Sequence, residues 1–226
     1  MLRLISIYSS ILPILIFFLF FQRNKKGSVW VIFVYAIISS LTDFSFEIFT
    51  PTSPTDFYFF SIFTVLEYSF FSIFLYFNFK KKLFKNILLI VSLLFYAFSI
   101  YNVLSTKDYI FDSFPASIEA ILIIIFCIFF FYEQINNPEI SFIYSSKKFW
   151  IATAFLIYLS GTLFLFIYAS NLSDEEYNFY WPINFIFNIL KNILIALAFY
   201  LPNQKSQSFI EKSYDEIFEK PPLNPL

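Results

Sequence analysis

The sequence contains no histidine, one cysteine and only two glycines in 226 residues. Without imidazole there is no Ser-His-Asp or Cys-His catalysis and no histidine-ligated metal site. Cys127 lies in the apolar run Ile125-Phe126-Cys127-Ile128-Phe129 and has no disulfide partner within the chain, so it reads as a small packing residue. Two glycines, Gly27 and Gly161, are too few for a glycine-rich phosphate loop. Charge is scarce too, at 14% of residues against about 25% in an average soluble domain. With 15 basic and 16 acidic residues the net charge is −1, which indicates no nucleic acid or other polyanionic partner. No cofactor, metal or nucleophile motif is left, and paired carboxylates alone make no reaction. The chain is therefore not read as an enzyme.

What is abundant is apolar: 59% of residues are hydrophobic, 25% are aromatic, and the mean hydropathy is +0.71. Such a chain cannot cover a water-exposed globule with polar groups and belongs in a bilayer. The 37 phenylalanines accompany an excess of Ile, Lys, Asn and Tyr, the bias an AT-rich genome produces, so they do not define a binding cage. A helix needs about 20 mostly apolar residues to cross about 30 Å of hydrocarbon. Seven segments qualify: 4–21, 29–49, 57–78, 84–104, 112–132, 149–169 and 181–200. β-barrel strands would be shorter and alternating. The expectation is an all-α, polytopic bundle of seven helices over residues 1–202, with a short cytoplasmic tail at 203–226. The first segment has one basic residue, Arg3, and no small-residue cleavage signature before Arg23, so it counts as a span rather than a signal peptide.

Basic residues set the orientation. With the N-terminus outside, twelve fall in the cytoplasm (Arg23, Lys25, Lys26, Lys80, Lys81, Lys82, Lys85, Lys147, Lys148, Lys205, Lys212 and Lys220) and two, Arg3 and Lys107, fall outside. This positive-inside asymmetry gives N-out, C-in, multi-pass in the cell's inner (plasma) membrane, with Trp30 and Trp150 at the inner interface and Trp181 at the outer one. Segments one to three and five to seven then enter in the same orientation, with the fourth as connector. Pro13 and Pro115 occupy the first and fifth segments; Lys25-Lys26 before Trp30 parallels Lys147-Lys148 before Trp150. The pattern suggests a 3+1+3 parallel repeat.

Charged groups deep in a bilayer cost roughly 2.5–3.5 kcal/mol each on insertion scales and face the bundle interior. Asp43 and Glu47 in the second segment, Glu67 in the third, Glu119 in the fifth and Lys191 in the seventh are such groups. At about 1.5 Å per residue, Glu67 and Lys191 both lie roughly 15 Å below the outer end, and Asp43 and Glu119 roughly 9–10 Å. Matched depth predicts an ion pair between Glu67 and Lys191, either a packing device or part of a site. Asn184, Asn188 and Asn192 recur at i, i+4 and i+8 beside Lys191 and form one polar stripe, either interhelical glue or a cavity wall. Together Asp43, Glu67, Glu119, Asn184, Asn188, Lys191 and Asn192 are the candidate ligand and ion-pair cavity, open to an unknown small polar or cationic ligand from outside. Ser160-Gly161-Thr162 predicts close helix packing. In the tail, Phe209, Ile210, Tyr214, Ile217 and Phe218 form an apolar stripe that docks a partner or the bundle's own inner face, or lies in the headgroup layer.

Three resemblances bear on function. A lysine in the seventh segment and a carboxylate in the third resemble rhodopsins, but Phe187 stands where the microbial pattern has Asp, and no span carries an arginine or a mid-membrane tryptophan. The repeat resembles SWEET and PQ-loop transporters, yet Pro13 is followed by Ile14 and Pro115 by Ala116, so the Pro-Gln signature is missing. The runs Phe63-Thr64-Val65-Leu66-Glu67-Tyr68 and Phe187-Asn188-Ile189-Leu190-Lys191-Asn192 resemble in texture compact seven-helix bacterial membrane proteins that serve as input units for separate histidine kinases. That last resemblance implies a ligand in the outer half, output on the cytoplasmic face and a separate signalling protein as partner. A small transporter of a polar solute is the alternative. The topology has a direct check: a cysteine at Asn171 should react with an impermeant thiol reagent applied outside, and one at Gln204 should not.

Overall fold

In a computed structural model, described over residues 1–25, 27–48, 55–105, 113–136 and 143–202, helices are the only extended regular elements. The tail 203–226, residues 106–112 and the side chain of Glu47 lie outside the described residues.

Pro13 shapes the first segment. Having no N–H, it leaves the carbonyl of Ser9 without its helical donor and crowds it. The segment accordingly divides at Ser10 into α1 (Leu2–Ser9) and α2 (Ile11–Leu19). Ser10 covers the break by donating its hydroxyl to the carbonyl of Ile7 at 2.6 Å and to Ser40 Oγ at 3.1 Å. One further turn, α3 (Phe21–Asn24), follows. The long helices are α4 (Val29–Ile48), α5 (Thr55–Asn78), α6 (Lys82–Ser105), α7 (Ser113–Ile135), α8 (Lys147–Tyr168) and α10 (Pro182–Tyr200), the last preceded by the short α9 (Asp174–Tyr180). The sequence Ser173-Asp174-Glu175-Glu176 starts α9 with a capping box: the Ser173 hydroxyl accepts from the Glu176 N–H, and the Glu176 carboxylate accepts from the Ser173 N–H.

Six stretches are long and apolar enough to cross a membrane: Leu2–Leu19, Phe57–Asn78, Lys82–Ser105, Ser113–Ile135, Lys147–Tyr168 and Glu175–Tyr200. The chain is a polytopic helical membrane protein. α4 is 20 residues long, but its apolar part, Val29–Ser45, is shorter than the other six.

The helices pack as a closed circuit. α2 lies on α4, α4 on α5, α5 on α7, α7 on α8, α8 on α10, and α10 returns to α1 and α2. α6 stands outside it, against α5 and α7. Its buried residues Leu88, Ser92, Phe95 and Ser99 form a single stripe, and Leu89, Ile90, Leu93 and Leu94 stay exposed to lipid. This ladder matches the one-faced burial of a peripheral helix.

One end of the bundle is tied by polar clasps. Lys147 Nζ donates to the Arg23 carbonyl (2.9 Å) and Asn24 Oδ1 (2.6 Å), while Asn24 Nδ2 donates to the Phe199 carbonyl (2.9 Å). Buried Glu133, at the end of α7, accepts from the backbone N–H groups of Lys80 (2.9 Å) and Lys81 (2.7 Å), fixing the turn between α5 and α6. Trp30 and Trp150 lie at this same basic end, their indoles donating to the carbonyls of Lys25 and Tyr144.

Gly161 marks the close approach of α8 and α10: a Cβ there would clash with the ring of Phe187. Gly161→Ala should destabilise the bundle by about 1–3 kcal/mol through overpacking. Adding Phe187→Ala should recover part of the loss, as read by thermal unfolding in detergent.

Candidate functional site

The polar residues of α4 and α10 share a period. Tyr35, Ser39 and Asp43 recur every fourth residue on α4, as do Asn184, Asn188 and Asn192 on α10, so each helix turns one polar stripe inward. α5 adds Thr64 and Glu67, and α7 adds Glu119. Between them lies a cavity of about 430 Å³. Asp43, Glu67, Glu119, Asn184, Asn188 and Lys191 all line it.

Its floor is charged. Lys191 is 2% exposed, and its ammonium donates to the phenol oxygen of Tyr35 at 2.7 Å. That phenol donates in turn to Glu67 Oε1 at 2.6 Å, while Nζ itself stands 3.9 Å from the same oxygen. The ammonium also faces the ring of Tyr158, 4.2 Å from its centroid, and that of Tyr35 at 5.3 Å. The buried ammonium thus has a carboxylate, a hydroxyl and the π face of Tyr158 as neighbours, contributed by α5, α4 and α8. Below the floor, Tyr35 packs on Phe71 (4.7 Å between centroids), and Phe71 stacks on Phe155 at 3.7 Å.

The walls above are mixed. Asn188 Nδ2 donates to Ser6 Oγ at 3.0 Å and more weakly to Asp43 Oδ2 at 3.4 Å, joining α10 to α1 and α4. Glu119 is buried in α7 at the cavity surface. Aromatic side chains, among them Phe60, Phe63 and Phe185, share the remaining wall with Ser39, Thr42 and Thr64. The rim is formed by exposed Arg3 of α1 and by Tyr177, Asn178 and Trp181 around the end of α9, where Tyr177 stacks on Trp181 at 4.3 Å. The cavity therefore opens at the end of the bundle opposite the basic clasps.

Asn192 stands apart from the other six candidates. It is buried below the cavity, where its Nδ2 donates to Ser9 Oγ at 2.9 Å and ties α10 to α1. The reason is helical drift: four residues turn a helix about 40° past one full turn, so the third member of the stripe faces elsewhere. Tyr35, Tyr158, Ser6 and Arg3 belong to the site although sequence reasoning had not singled them out for it. The spacing of Tyr35 from Asp43 was the available signal for the first.

Comparison of the chain with protein-family models, with curated proteins and with solved structures finds no match. The class of the protein, a helical membrane protein with a buried polar centre, therefore rests on its own residues.

The Tyr35-mediated pair yields a double-mutant cycle. Removing one partner of a buried pair strands the other at roughly 3–5 kcal/mol, whereas removing both is far milder. Lys191→Met should therefore lower thermal stability more than Glu67→Gln/Lys191→Met does. Additive effects of the two substitutions would mean that the groups do not interact.

Proposed function

We propose that the protein is a receptor-like sensor with seven spans, α4 being the second, oriented N-out in the cell's plasma (inner) membrane. A small ligand enters the cavity from outside, and a separate signalling protein reads the cytoplasmic face. The observation that carries the reading is the asymmetry of the bundle. At one end a cavity of about 430 Å³ reaches from exposed Arg3 and Asn178 down to buried Lys191. At the other, Lys147, Asn24 and Glu133 clasp three inter-helix junctions closed. Cavities of this size and mixed lining suit small-molecule ligands. The positive-inside rule puts the open end outside.

The alternative, a transporter, draws support from the chain Glu67–Tyr35–Lys191, because intramembrane ionisable groups also serve proton-coupled carriers. Accessibility separates the two. In a Cys127→Ser background, Asn188→Cys should react with an impermeant thiol reagent from the N-terminal side only. Solutes that protect this cysteine are then followed into sealed vesicles in labelled form. Protection without accumulation is the outcome for a receptor; accumulation would make the protein a transporter.

A further inference from the structure

Acceptors and donors are unevenly distributed over the cavity surface. Lys191 is already engaged by Tyr35, Glu67 and Tyr158, so it has little left to offer an incoming anion. Asp43, higher in the cavity, has hydrogen bonds only from neutral groups, the amide of Asn188 at 3.4 Å and the hydroxyl of Ser10, and feels Lys191 at a distance without an ion pair among the described residues. Asn184 adds a second acceptor: its Oδ1 is buried with no hydrogen-bond partner. Phe60, Phe63 and Phe185 line the same cavity, and the Tyr177–Trp181 stack stands at its rim.

We propose, building on the receptor reading above, that the ligand is an organic ammonium ion. Its nitrogen lies between Asp43 and Asn184, and its hydrocarbon lies among the aromatic side chains. An ammonium brings a full positive charge and N–H donors to the carboxylate of Asp43 and the unpartnered oxygen of Asn184, and aromatic walls favour an organic cation over water. A metal cation fits poorly. Hard cations take six or more oxygen ligands or keep their waters, and no group of three or more acidic or cysteine side chains among the described residues is arranged to hold a metal. The volume, about 430 Å³, calls for a molecule rather than an atom. Arg3 does not oppose entry strongly, because it stands on the exposed rim where water and salt screen its charge.

The test uses the full chain in detergent and three compounds of one shape: phenethylammonium chloride, sodium phenylacetate and phenethyl alcohol. Only the ammonium should raise the unfolding temperature, and it should do so saturably. Asp43→Asn should weaken its apparent affinity about tenfold or more, with Asp43→Glu recovering part of the loss. Trp181→Ala, at the rim, should weaken it about threefold by removing an aromatic face, and serves as the second variant should Asp43→Asn fail to fold. Stabilisation by phenylacetate or the alcohol at equal or lower concentration overturns the ligand class while leaving the receptor reading intact. So does ammonium binding that Asp43→Asn or Trp181→Ala leaves unchanged. No stabilisation by any of the three also overturns it. Labelled phenethylammonium accumulating inside vesicles would instead uphold the ligand class and overturn the receptor.

Discussion

A hydrocarbon solvent offers no hydrogen bonds, so every polar group at depth must find its partner inside the protein. Lys191 imposes that constraint most severely, and the arrangement of the core helices follows from it. Its ammonium needs an acceptor, a counter-charge and polarizable neighbours at once, and no single helix can present all three. α4 brings the phenol of Tyr35, α5 the carboxylate of Glu67 and α8 the ring of Tyr158. Each contact fixes the rotation of a helix as well as its distance. With those rotations set, Phe71 and Phe155 meet face to face beneath the charge, and Asp43 and Asn188 come to the surface of the space above it. A buried pair of this kind adds little net stability, and its service is to specify which packing is chosen.

The two ends of the bundle solve the same problem differently. At the basic end, Asn24, Lys147 and Glu133 bond largely to backbone groups that helix ends and turns leave without partners. Those clasps span α3, α5, α7, α8 and α10, so opening there requires several junctions to loosen together. The other end has the capped α9, the aromatic stack, and the bonds of Asn188 to Ser6 and Asp43 beside the cavity. There the bonds run between side chains that border a space of about 430 Å³, whereas the clasps largely hold backbone groups.

The helical class, the helix limits to within a few residues and the depth match of Glu67 with Lys191 could be read from the sequence because all three follow from counting apolar residues along an axis. What counting misses is azimuth. Asn192 belongs to the right stripe at the right period yet bonds to Ser9, because drift accumulates over two turns. Tyr35 and Tyr158 escape notice for another reason: tyrosine is common here, 16 residues in all, and inexpensive in a membrane, so its presence signals nothing by itself. Only their placement against Lys191 gives them a role. The break at Ser10, by contrast, follows from Pro13 alone.

α4 is where these strands of argument meet. It carries both Asp43, at the cavity wall, and Tyr35, under the floor, two turns apart on one face. Its first turns are held at the basic end through Ser28 and Asn78, which exchange hydrogen bonds at 2.8 and 3.1 Å. Between these points the helix is pinned by the buried contacts of Tyr35 with Lys191 and Glu67. Tyr35 is both acceptor from Lys191 and donor to Glu67, so a displacement of its phenol acts on both bonds at once. Glu67 and Lys191, 3.9 Å apart, attract each other across that phenol as well as through it. The position of α4 is thereby tied to the two charged groups of α5 and α10 together, and the wall that carries Asp43 is set by the same contacts that compensate Lys191.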